Sequence, residues 1–332
     1  MFQNIFKRSP KPAPLPLFDE TFVRRLEKLS FRTAPTLRGT MPGERRSRNL
    51  RPALDFSDHR PYAHGDDLRH VDWNAYSRHE ELFVKLGEAT QSVTVHILLD
   101  RSRSMAWDPV QSQELAEQDV ARSVKWDSAR RLAGALGYLG LAGGERLIIT
   151  PFAHHLDQSF GPTQGKRQVV PTFNFLSKLG TAPVVKEGAL GLSQSLKAYA
   201  DAHPRGGLLV IVSDLLNAAA SGDVGQGASW LSEGLRHLPG PRWQVMVMHI
   251  LTEQEIDPAL SGDVDLQDME TGDRLPFRLD HHTVTQYRLR VRRWCGELQQ
   301  ACAGRNAIYS RIVAEWPFER AVVPYLRQRG VL

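Results

Sequence analysis

The stretch HILLDRSRSM closes an apolar run with Asp100, Ser102 and Ser104, oxygen-bearing side chains at alternate positions. A second apolar run, LLVIVSD, ends on Asp214. Carboxylates and hydroxyls are what a hard divalent ion requires, and Mg²⁺ takes one or two acids while keeping several waters. If both acids reach one half-buried cleft, they repel unless a cation or a proton neutralises them. A zinc set does not fit, because the histidines are scattered and the two cysteines form no Cys-x-x-Cys. The same residue types also cap loops and helices, so capping stands as the plain alternative.

Positioning such a group requires strands that end together. SVTVHILLD, ERLIITPFA, GGLLVIVSD, RWQVMVMHIL and NAIYSRIVA are apolar and β-rich, as expected for strands covered on both faces. Between them lie helical stretches. VKWDSARRLAGALGYLGLAGG has apolar residues at helical spacing and stops at Gly143-Gly144, and TVTQYRLRVRRWCGELQQACAG reads as a long helix. Alternation of this kind predicts an α/β doubly wound, mostly parallel sheet of Rossmann type. Ligands of open α/β sheets gather beyond the carboxyl ends of the strands, where Asp100 and Asp214 fall.

Three regions follow. Residues 1–36 are a proline-rich flexible tail with a short helix capped by Asp19. Residues 37–90 are a β-rich extension, and residues 91–332 are the α/β domain, with a hairpin near 263–280 around a Thr-Gly-Asp turn. Phe2, Ile5 and Phe6 lend the tail only a weak docking character.

The chain has 332 residues, a net charge of +5 and no apolar run long enough to cross a bilayer. With its interrupted N-terminus, that points to a cytoplasmic protein without a membrane span. Cys295 and Cys302 lie on one helix, too far apart to bridge, which suits a reducing compartment. The arginine clusters GERRSRNLR and YRLRVRRW would suit an acidic partner. Nucleic-acid binding rests on that charge alone and is not expected. No Gly-x-Ser-x-Gly elbow and no phosphate loop occurs.

The LLDRSRSM, LGT and IVSD stretches resemble the metal-ion-dependent adhesion site of von Willebrand factor A domains. The resemblance implies a Mg²⁺ or Mn²⁺ site built from Asp100, Ser102, Ser104 and Asp214, with Thr181 as the threonine ligand and Thr163 as the fallback. Arg101 and Arg103 depart from that pattern by placing positive charge beside a cation.

A second resemblance precedes the first strand. Arg60, Tyr62, Gly65, Asp66, Asp67, Arg69, Asp72 and Trp73 carry a pattern similar to that of the family called domain of unknown function 58. In residue terms, the acids matched by arginines read as an ion-pair and turn framework in which Trp73 plugs the sheet, a role compatible with partner docking; a second acidic site for a metal or for catalysis is the alternative. The family resemblance implies a protein partner, a MoxR-type AAA+ ATPase, engaged through one of its acidic residues. The function expected is a non-catalytic, metal-dependent interaction module. The alternative is a Mg²⁺-dependent phosphoester hydrolase using Asp100 and Asp214.

Overall fold

A computed structural model describes residues 17–27, 56–63, 71–79, 81–87, 93–107, 123–182, 192–216, 228–259, 262–267, 274–318 and 322–328. In chain order the elements are α1 (Glu20–Leu26), β1 (Phe56–Pro61), α2 (Trp73–His79), β2 (Phe83–Gly87), β3 (Thr94–Asp100), α3 (Val124–Ala142), β4 (Arg146–Phe152), β5 (Phe160–Gln164) and α4 (Val169–Lys178). Then come α5 (Leu192–Ala202), β6 (Gly207–Ser213), α6 (Ser229–Arg236), β7 (Trp243–Leu251), α7 (Glu253–Ile256), β8 (Gly262–Gln267), β9 (Arg274–Leu279), α8 (His281–Ala303), β10 (Ile308–Val313) and α9 (Val323–Gln328).

The central sheet has six strands in the order β10-β7-β6-β3-β4-β5. All pairs are parallel except β4–β5, which is antiparallel. The edge strand β5 is not apparent in the sequence: FGPTQ is short, broken by glycine and proline, and mostly exposed. From β3 the chain steps outward to β4 and β5, then returns to lay β6 on the opposite side of β3. The order therefore reverses between β3 and β6, which is where an open α/β sheet offers a ligand crevice.

Alternation along the buried strands feeds two apolar layers. Val95, Ile97 and Leu99 pack with α3 residues such as Trp126, Leu132 and Leu136, whereas Leu98, Leu209 and Ile211 pack with Leu196, Leu231 and Leu298 of α5, α6 and α8. The sheet is thus covered on both faces, which explains its nearly unbroken apolar strands.

The short N-terminal helix corrects one expectation. Asp19 caps α1 by accepting from the Phe22 amide at 2.7 Å, but α1 is no part of a loose tail. Phe22 and Leu26 are buried in the core, and Phe18 stacks on Phe173 with centroids 4.2 Å apart. Phe22 and Leu26, four positions apart on α1, share one face of the helix, and Phe18 precedes its cap.

In the extension, β1 and β2 pair antiparallel with α2 between them in the chain, and β8 with β9 forms the expected hairpin. Pro171 and Pro324 sit in the first turns of α4 and α9, where proline is tolerated. No described helix is long and apolar enough to cross a membrane.

Gly207 opens β6 at φ 150°, and a Cβ there would lie 2.2 Å from the Thr94 carbonyl oxygen. Because that obstacle is backbone, Gly207→Ala is expected to cost about 2–4 kcal/mol in urea denaturation.

His96 is buried on β3, with Nδ1 2.9 Å from the Tyr199 hydroxyl. Burial, then the His203 and Arg146 charges, push its pKa down to about 4. The unfolded chain, with a value near 6.5, binds the proton first. The stabilising contribution is therefore complete above about pH 6.5 and is lost as pH falls towards 4. The stability gap between wild type and His96→Gln should narrow by up to about 3 kcal/mol across that window.

Candidate functional site

Asp100 ends β3 and Asp214 directly follows β6, its parallel neighbour, so both acids stand at the carboxyl end of the reversal point. Both are buried. The chain holds them with its own backbone: Ser102 N–H donates to Asp100 Oδ1 at 2.8 Å, and Leu216 N–H donates to Asp214 Oδ1 at 3.0 Å. The second turn needs Leu215 at φ 58°, a left-handed conformation uncommon for a residue with a Cβ. Its N–H is held by Ser213 Oγ at 2.8 Å, while the Ser213 hydroxyl donates to Asp100 Oδ2. Ser102 and Ser104 hydroxyls lie 3.0 Å apart and are buried. Four of the five expected ligands thus meet.

Thr181 comes to the same end of the sheet. Its carbonyl accepts from Arg101 Nη2 at 3.3 Å, and the next amide, Ala182 N–H, donates to Arg101 O at 2.6 Å. Thr163 does not: it pairs with Leu147, which pairs with Val95 near the opposite end of β3. The fallback threonine is therefore excluded by register. Arg101 turns away from the acids to bond Asp157 Oδ2 at 2.9 Å, so its positive charge is spent elsewhere.

Sequence reasoning missed Lys125. It occupies the second position of α3, after the Ser123 cap, and is fully buried. Its ammonium bonds Asp214 Oδ2 at 2.7 Å, Glu255 Oε1 at 2.7 Å and the Ser104 carbonyl at 3.3 Å. Three donors thus meet three acceptors. Glu255 is itself fixed by a capping box with Thr252 on α7. A lysine opening an apolar helix, and the Thr-x-x-Glu pattern, were visible signals; that they meet across 130 residues was not.

The electrostatics divide the acids. Burial alone would raise the Asp214 pKa, but the adjoining Lys125 ammonium holds it below the ordinary carboxylate range. The same acids hold the lysine charged against burial, raising its pKa. Asp100 has no such partner: among the described residues the groups that hydrogen-bond it are neutral, the Ser213 hydroxyl and the amide and hydroxyl of Ser102. Burial and the negative charge of Asp214 push it up to about 7. His249 completes the floor, its Nε2 2.9 Å from the Asp214 carbonyl; burial pushes its pKa down to about 3, so it is neutral and donates there.

The donor set fits a hard divalent ion. The site supplies two carboxylates and two hydroxyls, and with Asp100, Asp214 and Glu255 ionised against one ammonium it is short of two positive charges. Among the described residues, no group of three or more His, Cys, Asp or Glu could hold a metal ion, so any ion here would rely on the hydroxyls and water beside the two acids.

The second motif is only partly described. Gly65, Asp66, Asp67 and Arg69 lie outside the described residues, and Arg60 is seen as a β1 backbone position paired with Val84. Tyr62 N–H donates to Leu82 O at 2.8 Å. Asp72 caps α2, accepting from the Asn74 and Ala75 amides at 3.0 and 3.2 Å, as the structural reading expects. Trp73 corrects that reading. It is 58% exposed, edge-on to Tyr76, because the first helical position faces solvent and not the small sheet. Cys295 and Cys302 are free and buried on α8.

The sequence profile of the family described as protein of unknown function DUF58 matches residues 58–294. Uncharacterised proteins of Mycobacterium tuberculosis and Mycobacterium bovis are each 26% identical over 263 residues, covering 79% of this chain and 75% of theirs. Similar solved structures include a conserved hypothetical protein, BatB, from Bacteroides thetaiotaomicron, 14% identical with a TM-score of 0.38 over 72% of this chain and 99% of that one. An aerotolerance-related membrane protein from Bacteroides fragilis is 17% identical with a TM-score of 0.39, over 72% and 98%.

Proposed function

Given that this chain belongs to the DUF58 family, we propose that it is a non-catalytic, metal-dependent protein-interaction module of the von Willebrand factor A type. The observation that carries the reading is the meeting of Asp100 and Asp214 on adjacent parallel strands at the point where strand order reverses, beside two buried hydroxyls. Asp100, Ser102, Ser104, Thr181 and Asp214 would hold Mg²⁺ or Mn²⁺. The bound ion would supply one coordination position for a carboxylate of the partner.

The chain's own residues do the rest. Ser213 and the Ser102 amide orient Asp100, and the left-handed Leu215 turn aims Asp214. One of the Ser102 and Ser104 hydroxyls donates to the other, and each keeps a lone pair that a cation could engage. The basic surface, +5 overall, favours an acidic partner, and a MoxR-type AAA+ ATPase is the partner proposed. Two free, buried thiols suit the reducing cytoplasm proposed as its location.

Hydrolysis of a phosphoester would need a free base near the acids. Lys125 is engaged by three acceptors and the neutral His249 by the Asp214 carbonyl, so the interaction reading is preferred.

The test is recovery of partner proteins with and without Mg²⁺, comparing wild type with Asp100→Ala. Recovery should require both the ion and Asp100. Identical recovery under all conditions refutes the reading.

A further inference from the structure

We infer that Lys125 is a tethered counter-cation that shares Asp214 with the incoming divalent ion and is handed over to Glu255 when the ion binds; the inference rests on the metal reading above. The ammonium stands 2.7 Å from both carboxylates, midway between a prospective ligand and an acid outside the ligand set. A divalent ion engaging Asp214 places like charges on one carboxylate, and the lysine is the movable member because its long stem turns about several bonds.

Glu255 is built to receive it. Its Oε2 accepts from the Thr252 amide at 2.8 Å and the Thr252 hydroxyl at 3.1 Å, so its Oε1 is held towards the lysine without depending on Asp214. The Glu255 carbonyl in turn accepts from the Tyr287 hydroxyl at 2.7 Å, and Asp257 pairs with Arg288. Occupancy of the site thus bears on a lysine anchored to α7, and α7 is bonded to α8. The ammonium keeps Asp214 neutralised, and the lysine sets how tightly the ion is held.

The arrangement predicts substitution effects of opposite sign. Removing Lys125 removes the competitor. Replacing Glu255 by Gln leaves Asp214 as the lysine's only acid among the described residues, so it competes harder. Gln also serves at the third position of a capping box, which preserves α7.

The experiment is calorimetric titration of the full chain with MnCl₂ for wild type, Lys125→Met, Glu255→Gln and the double variant. Lys125→Met should bind at least tenfold more tightly and Glu255→Gln at least threefold more weakly. In the Lys125→Met background, adding Glu255→Gln should change affinity by less than twofold, because its effect runs through the lysine. Equal, additive losses from Glu255→Gln in both backgrounds would reduce it to bulk charge and overturn the inference. Unchanged affinity in the single variants would overturn it too, while leaving the metal reading intact; binding by none of the four would overturn both. If Lys125→Met does not fold, Lys125→Gln, which keeps a donor between the acids, takes its place with the same expected signs.

Discussion

Lys125→Met is expected to destabilise the metal-free fold by about 3–5 kcal/mol, the usual consequence of removing one partner from a buried ion pair. Asp214 is fully buried and the Glu255 side chain is only 14% exposed, so neither acid recovers its charge stabilisation from water. The loss should be largest in EDTA near neutral pH and smaller in acid, where protonation removes the stranded charges. Adding Glu255→Gln should return part of it, since Asp214 is then the only one of the two former lysine partners left as a stranded carboxylate. Urea denaturation of the three variants measures this; a loss below about 1 kcal/mol for Lys125→Met would show that the ammonium is not committed to the two acids.

Asp100→Asn should do the opposite to stability while weakening metal binding. Burial and the negative Asp214 push the Asp100 carboxyl up to about 7, and among the described residues its hydrogen-bond donors are neutral. A folded-state value above the unfolded one of about 3.9 means that the native state binds the proton more strongly. Asp100 thus contributes stability that is present below about pH 4 and is lost as pH rises to about 7. The near-isosteric amide removes that pH-dependent penalty, so the variant should equal or exceed wild type in stability at neutral pH without metal. With Mg²⁺ or Mn²⁺ the order reverses. Wild type gains about 2.7 kcal/mol when free ion stands at a hundred times its dissociation constant, and Asp100→Asn, expected to bind at least about a hundredfold more weakly, gains little. Thermal melting with and without MgCl₂ reads both effects at once. A variant that melts lower than wild type in EDTA, or is stabilised equally by the ion, would contradict this.

Much of the architecture was legible because burial on both faces writes itself as unbroken apolar strands. β3, β4, β6, β7 and β10 follow from that signal. The antiparallel edge strand β5 carries no such signal, since it packs on one side and includes Gly161 and Pro162. The first motif was equally legible, because Asp100, Ser102 and Ser104 are local in sequence and Asp214 ends its own strand. What a single sequence does not encode in any window is the company those acids keep. Lys125 lies 89 residues before Asp214 and 130 before Glu255, and only the reversal of strand order brings them together. The misplaced Trp73 has a different cause. An aromatic beside a small sheet reads as a plug, but Asp72 starts a helix there and turns the ring outwards.

The most direct test of the proposed metal site is an anomalous difference map at the manganese edge from crystals grown with MnCl₂. A peak coordinated by Asp100 and the Ser102 and Ser104 hydroxyls, with Asp214 bound directly or through water, is the predicted result. No peak there at saturating Mn²⁺, with Lys125 still bridging Asp214 and Glu255 as the only cation between β3 and β6, would contradict it.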